Sequence, residues 1–241
     1  MLKKFFLFSS FLLAFSLLFQ PNISNAEETN DSGIDLSKET YQQLIDEGIL
    51  DKNTSYDEWV EMNDESLFDE LDNNFPPEQS MEKATTQGFK LKNGDILVSN
   101  GTSSKGLTGH AGIVVSNNKI LHIAGPNKKV QLDTVNKWQK RYGIIKGQKD
   151  GKTRTKVYRI NSASKAGAAG KWAETAYKGK SYKYGTGGKL TSKNPTYCSK
   201  IVWQAYNYVG VVNKPKNTII MPYSLPNSFK SSAKVKMIGI L

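Results

Sequence analysis

One cysteine, Cys198, stands in a chain of 241 residues, so no internal disulfide can staple the fold and packing has to hold it. Histidine is nearly as scarce, with only His110 and His122. Residue types this rare and this reactive point to one site rather than to a scattered surface inventory. Cys198 lies in Asn194-Pro195-Thr196-Tyr197-Cys198-Ser199-Lys200-Ile201-Val202-Trp203, where a loop gives way to a helical pattern. His110 opens the apolar run His110-Ala111-Gly112-Ile113-Val114-Val115, and His122 lies in the next, Lys119-Ile120-Leu121-His122-Ile123-Ala124. A thiol with imidazoles supplies the parts of a Cys/His hydrolase.

The N-terminus reads as a secretory signal peptide over residues 1–26. Lys3 and Lys4 precede an apolar stretch from Phe5 to Phe19, and Ser24-Asn25-Ala26 offers a small-x-small cleavage site. The stretch is short for a membrane span of about 20 residues, so cleavage is expected, leaving an exported protein from Glu27 to Leu241. Charge then divides the mature chain. Between Glu27 and Lys83 there are 18 acidic residues against three lysines, while from Gln87 onward 28 Lys and Arg face four acids, Asp95, Asp133, Asp150 and Glu174. For an exported protein the basic part suits an anionic cell-wall polymer or lipid surface, or simply a solvated lysine surface. No nucleic-acid motif accompanies it.

Residues 27–86 form an acidic helical N-terminal region and linker. Helical spacing runs from Leu36 to Leu50, and Ser55-Tyr56-Asp57-Glu58 has the form of a capping box ahead of Trp59, Met62, Leu67 and Leu71. Trp59, Leu67, Phe68 and Leu71 are expected to dock this region as an appendage; a covering prosegment is the other arrangement its charge allows. Residues 87–241 change texture. Strands are expected at Asp95–Val98, His110–Val115, Ile120–Ala124, Lys156–Ile160 and the tail Lys234–Leu241. Helices are expected at Ser162–Tyr177, anchored by Trp172, and at Thr196–Val209. The class is α+β, a small twisted sheet with helices packed on it. Asn100–Thr108 and Asn127–Lys140 read as loops that set specificity.

With Thr196 as N-cap, Cys198 occupies the first helical turn, where the helix dipole favours a thiolate. His110 would act as base toward the thiol and His122 would orient it. Strand parity sets a condition. A two-residue turn at Asn117-Asn118 would pair Ile113 with His122 and send the histidines to opposite faces, so their pairing requires an odd-length loop or a bulge. Zinc is the chemical rival, but no short ligand spacing supports it. Gly185-Thr186-Gly187-Gly188-Lys189 is no phosphate loop, because Leu190 stands where Ser or Thr is needed. No cofactor is expected.

These residues resemble the NlpC-type cell-wall cysteine peptidases of the papain-like superfamily. Gly94-Asp95-Ile96, His110-Ala111-Gly112-Ile113, the twelve-residue step to His122, and Tyr184-Gly185 leading to Cys198-Ser199 carry the likeness, over Lys92 to Gly210. The chain order His110, His122, Cys198 is similar to the circularly permuted YiiX-like branch and to lecithin:retinol acyltransferases. Tyr197 and Lys200 stand in place of that family's usual Asp and Gly. The resemblance implies a papain-like fold in permuted order, Cys198 as nucleophile, His110 as base, His122 as orienter and Tyr184 beside the substrate. It also implies amide cleavage in a peptidoglycan-type peptide through an acyl-enzyme. The alternatives are a lipid-directed thiol acyltransferase or esterase, and a non-catalytic wall-binding module.

Overall fold

Three helices come first in the chain: α1 (Lys38–Asp46), α2 (Tyr56–Met62) and α3 (Ser66–Asn74). The computed structural model describes residues 34–76, 90–101, 107–143, 154–215 and 219–241. The expected leader at 1–26, the start of the mature chain up to residue 33 and the linker at 77–86 lie outside the described residues. Ser37 caps α1 by accepting from the Thr40 amide, and Ser55 and Glu58 form the reciprocal capping box of α2. The spacing from Trp59 to Leu71 reads as one helix, yet it is two. Asn63 ends α2 by turning inward. Its amide nitrogen donates to the Trp59 carbonyl, and its Oδ1 accepts from the Thr108 amide and hydroxyl, each at 2.7 Å.

Six strands form one antiparallel sheet in the order β4-β3-β2-β1-β5-β6. They are β1 (Ile96–Ser99), β2 (His110–Val115), β3 (Lys119–His122), β4 (Gln131–Thr134), β5 (Thr155–Arg159) and β6 (Lys236–Ile240). The helices α4 (Val135–Tyr142), α5 (Ala163–Tyr177) and α6 (Cys198–Tyr208) complete the α+β architecture. β4 and α4 occupy part of the stretch that sequence reads as a loop. Gln131-Leu132-Asp133-Thr134 is too short and polar to show strand alternation, but it pairs along β3, and Thr134 then caps α4. Apart from Val135 at its start, the helix is polar except at Trp138 and Tyr142, one turn apart and both buried.

Every residue of β2 is buried, so its alternation assigns each side chain to one of two cores. Ala111, Ile113 and Val115 join the larger core with α5 and α6, whereas Val114 joins Trp138 and Tyr142 on the α4 side. A Cβ on Gly112 would lie 2.9 Å from the Trp138 ring, so glycine is what lets α4 seat. α5 buries Ala166, Ala169, Gly170, Ala173 and Ala176, which brings it close to the sheet. Trp172 is not its anchor; it lies half-exposed and stacks on Tyr208 at 5.7 Å. Asp95 is buried and takes both Nε and Nη2 of Arg159 at 2.6 Å, tying β1 to β5. No helix among the described residues is long and apolar enough to cross a membrane.

The acidic helices dock on the basic part. Trp59, Phe68 and Leu71 share the larger core. Lys156 of β5 is fully buried, with its ammonium 2.8 Å from Asp72, bonded to the Phe68 carbonyl and 4.1 Å from the Phe68 ring centroid. Arg154 reaches Asp69 at 2.8 Å. A buried lysine needs these partners, because an ammonium without compensation would be strongly destabilising. Asn63→Ala removes the buried bonds to Thr108 and should cost about 2 kcal/mol. Thermal melting should fall by about 4–8 °C; an unchanged midpoint would show that α2 is not held to the strand that begins at His110.

Candidate active site

The loop between β2 and β3 is the three-residue turn Ser116–Asn118, with Asn118 left-handed at φ 55°. Ile113 therefore pairs with Leu121 rather than His122. The odd loop meets the parity condition, and both histidines lie on the α4 face. His110 Nε2 and His122 Nδ1 are 2.8 Å apart. The His110 ring stacks on Tyr142 at 4.4 Å, and the His122 ring meets Trp138 edge-on. β4 then supplies a group that the sequence reading passes over. Asp133 Oδ2 lies 3.1 Å from His122 Nε2, and Asp133 Oδ1 is 2.6 Å from Lys137 Nζ. Asp133 is one of four acids in a strongly basic stretch. A carboxylate so outnumbered, close after two histidines, is the signal that could have found it.

Hydrogen-bond logic fixes the protons. A carboxylate only accepts, so His122 carries its proton on Nε2 and donates to Asp133. His122 Nδ1 must then accept, and His110 donates to it from Nε2. The neutral His110 ring is left with its lone pair on Nδ1. That atom is buried and has no hydrogen-bond partner. Gln131 also reaches His122 Nε2, at 3.2 Å. Among the described residues no set of three or more His, Cys, Asp or Glu side chains could hold a metal, and the His110 Nε2 and both His122 nitrogens are engaged in hydrogen bonds.

Cys198 begins α6 on the other side of β2, packed in the larger core with Ala111. The expected Thr196 cap is not used. Thr196 is paired with the Tyr184 segment instead, its amide donating to Lys183 and its carbonyl accepting from Gly185. The N-cap is Tyr197, whose hydroxyl accepts from the Ile220 amide at 2.9 Å. Tyr184 is buried in the same core as Cys198, through this bridge two residues ahead of the helix. No hydrogen bond joins Cys198 to His110 among the described residues. What links them is the β2 backbone: the Ala111 amide, one residue past His110, acts on the Cys198 sulfur.

The electrostatics describe a neutral resting site. Burial pushes the Cys198 thiol up, against the stabilising amides of Ala111 and Ser199 and the Ser199 hydroxyl. The helix start is present, but desolvation outweighs it, so the lowered thiol expected from sequence is not found. Burial likewise takes His110 well below the ordinary imidazole value, with His122 adding in the same direction. His122 is lowered by burial against the pull of Asp133. Burial alone would raise Asp133, yet the hydrogen bonds from His122 and Lys137 outweigh it and hold it at about 2. Lys200, whose ammonium donates to the Pro195 carbonyl at 2.8 Å, is lowered to about 8 by burial.

The family described as lipoprotein N-acylation protein LnsA-like matches residues 67–240. A curated relative, an uncharacterized 30.3 kDa protein of Bacillus thuringiensis, is 32% identical over 240 residues, covering 82% of this chain and 86% of its own. No solved structure matches.

Two titrations check the electrostatics. Iodoacetamide alkylation of Cys198 in the substrate-free protein should have its midpoint above the ordinary thiol value of about 8.5. A midpoint below that value would reveal a thiolate–imidazolium pair at rest. Asp133, with its folded value below its unfolded one, contributes stability that is full above pH ~4 and lost as pH falls toward 2. That contribution is about 2 kcal/mol. Asp133→Asn should be less stable at neutral pH and lack this part of the acid limb; superimposable pH–stability curves would remove Asp133 from the network.

Proposed function

The chain belongs to the family of LnsA-like lipoprotein N-acylation proteins, a papain-like family related to thiol acyltransferases, and on that premise we propose that it transfers a fatty acyl group through Cys198 to an amine. The observation that carries this reading is the buried, unpartnered Nδ1 of His110, set as a proton acceptor by the chain from Asp133 through His122. It lies beside the peptide whose amide acts on the Cys198 sulfur.

In the first half-reaction Cys198 Sγ adds to the ester carbonyl of a lipid donor while His110 Nδ1 takes the thiol proton. The C–O bond breaks, the proton passes to the departing alkoxide, and a thioester remains on Cys198. In the second, an amine such as a lipoprotein N-terminus adds to the thioester. An N–C bond forms, the S–C bond breaks, and His110 carries the amine proton back to the sulfur. Sγ and Nδ1 lie on opposite sides of β2 in the free protein. Acyl transfer therefore requires them to meet around the start of the strand when substrate binds; catalytic hydrogen bonds are often long or poorly aligned in the free enzyme. His122 orients His110 and Asp133 orients His122, while Tyr184 shapes the wall near the nucleophile.

On this reading the leader at 1–26 carries the protein out of the cytoplasm, and the basic surface faces anionic lipid. The peptidase reading uses the same thiol with water as acceptor. Incubation with phospholipid vesicles and an amino-terminal cysteine lipopeptide distinguishes the two. An acyl mass on Cys198, removed by neutral hydroxylamine, together with an N-acylated lipopeptide lost in Cys198→Ala, is expected. Cleavage of muropeptides by the wild type, with no acyl adduct, would instead establish the peptidase.

A further inference from the structure

The segment Ile219–Leu225 closes over the start of α6. It is pinned to both residues flanking Cys198, because the Ser199 hydroxyl donates to the Ile220 carbonyl at 2.6 Å and the Tyr197 hydroxyl accepts from the Ile220 amide at 2.9 Å. Three residues later the same segment places Tyr223 against the strand that carries the base. Gly109 has φ +73°, and a Cβ built on it would fall 2.5 Å from Tyr223 Cε1 and 2.9 Å from Cζ. The phenol end of the ring thus sits over the residue immediately before His110. Phe68 of α3 backs it, with ring centroids 5.3 Å apart.

Tyr223 is 3% exposed, and its hydroxyl has no hydrogen-bond partner. An unmade bond at a buried donor is destabilising, so a partner arriving later gives a reason for the group to be kept. Burial holds this phenol above its ordinary value, and the carboxylates of Glu65 and Asp69 add to the effect. It therefore stays protonated and can only be a hydrogen-bond donor or a neutral acceptor, not a base. His110 Nδ1, the proton acceptor, is likewise buried and unpartnered, and the Tyr184 and Thr196 hydroxyls are buried ahead of α6, but Tyr223 is the one set against the residue before His110. One donor and one acceptor stand unused at the strand start that meets Cys198.

The geometry points to Tyr223 as an oxyanion donor: its hydroxyl bonds the oxygen of the acyl carbonyl as Cys198 adds to it. This rests on the acyl-transfer reading above. When Sγ bonds to the carbonyl carbon, the C=O pair moves onto oxygen and the phenol donates to that oxyanion without giving up its proton. Collapse restores the carbonyl and expels the alkoxide, which takes the proton held on His110. Backbone amides at Cys198 and Ala111 already face the sulfur, so a side-chain donor completes the other half of the charge stabilisation.

Tyr223→Phe tests this in the full protein, because it deletes only a hydroxyl that bonds nothing. Turnover of p-nitrophenyl acetate should fall about 10²-fold, as expected for loss of one oxyanion donor. Alkylation of Cys198 by iodoacetamide forms no oxyanion and should proceed at the wild-type rate, and the melting temperature should not fall. Unchanged ester turnover, or ester turnover and alkylation falling together, would overturn the assignment while leaving Cys198 as nucleophile. Ester turnover that persists in Cys198→Ala would overturn the thiol reading and the donor with it.

Discussion

β2 is buried on both faces, and that single constraint organises the molecule. A strand with solvent on one side tolerates a slip in register; a strand between two cores does not, because each residue would move to the wrong core. The alternation sends Ala111, Ile113 and Val115 to α5 and α6 and leaves Gly112 and Val114 to α4. The three-residue turn after β2 then fixes β3 against it, so His122 arrives on the same face as His110. Cys198, delivered by α6, comes from the other face. The site therefore straddles a strand, with the Ala111 peptide as the shared wall.

Such a layout separates two tasks. The α4 side holds protons in order. Asp133 accepts from His122, His122 from His110, and the aromatic rings of Trp138 and Tyr142 keep water from competing. The α6 side holds the sulfur, among apolar residues and amide dipoles. Neither group is charged at rest, since burial lowers the imidazoles and raises the thiol. The N-terminal helices support both sides. Asn63 grips Thr108 two residues before His110, and Phe68 backs Tyr223 in the segment pinned to Cys198.

Much of this is legible in the sequence because it rests on local signals. Strong apolar runs marked β1, β2, β3 and β5, and the Ser55–Glu58 box marked α2. The scarcity of Cys and His drew attention to His110 and His122, which the fold brings into hydrogen-bond contact, and to Cys198, which it places across β2. The illegible parts share a cause. β4 is a four-residue, mostly polar strand whose only reason to be a strand is β3 beside it, and α4 is a basic helix whose three apolar residues, Val135, Trp138 and Tyr142, are outnumbered by polar ones. Their identity depends on tertiary partners, so Asp133 escaped with them. The helix start was misplaced by two residues, because Thr196 is claimed by the Lys183–Gly185 segment rather than by the helix. The direction of the thiol shift failed for a related reason. A helix N-terminus can be read from sequence, whereas the depth at which it is buried cannot.

Depth also bears on the choice between transfer and hydrolysis. A thioester survives to meet an amine only if water is kept away from it, and His110, His122 and Cys198 are almost wholly covered. The cover is apolar: Ile219, Ile220 and Met221 lie in the segment pinned across the start of α6. Admitting an acyl chain there exchanges one apolar contact for another and leaves the site dry. Admitting a polar wall peptide would instead bring amides into that apolar cover, at a cost of about 1–3 kcal/mol for each group left unpaired. The same cover that makes the thiol a poor nucleophile at rest thus favours a substrate that displaces it, because binding and activation become one event. On the acyl-transfer reading, contact between the sulfur and His110 would wait for the acyl chain to enter, and burial keeps both groups neutral until then.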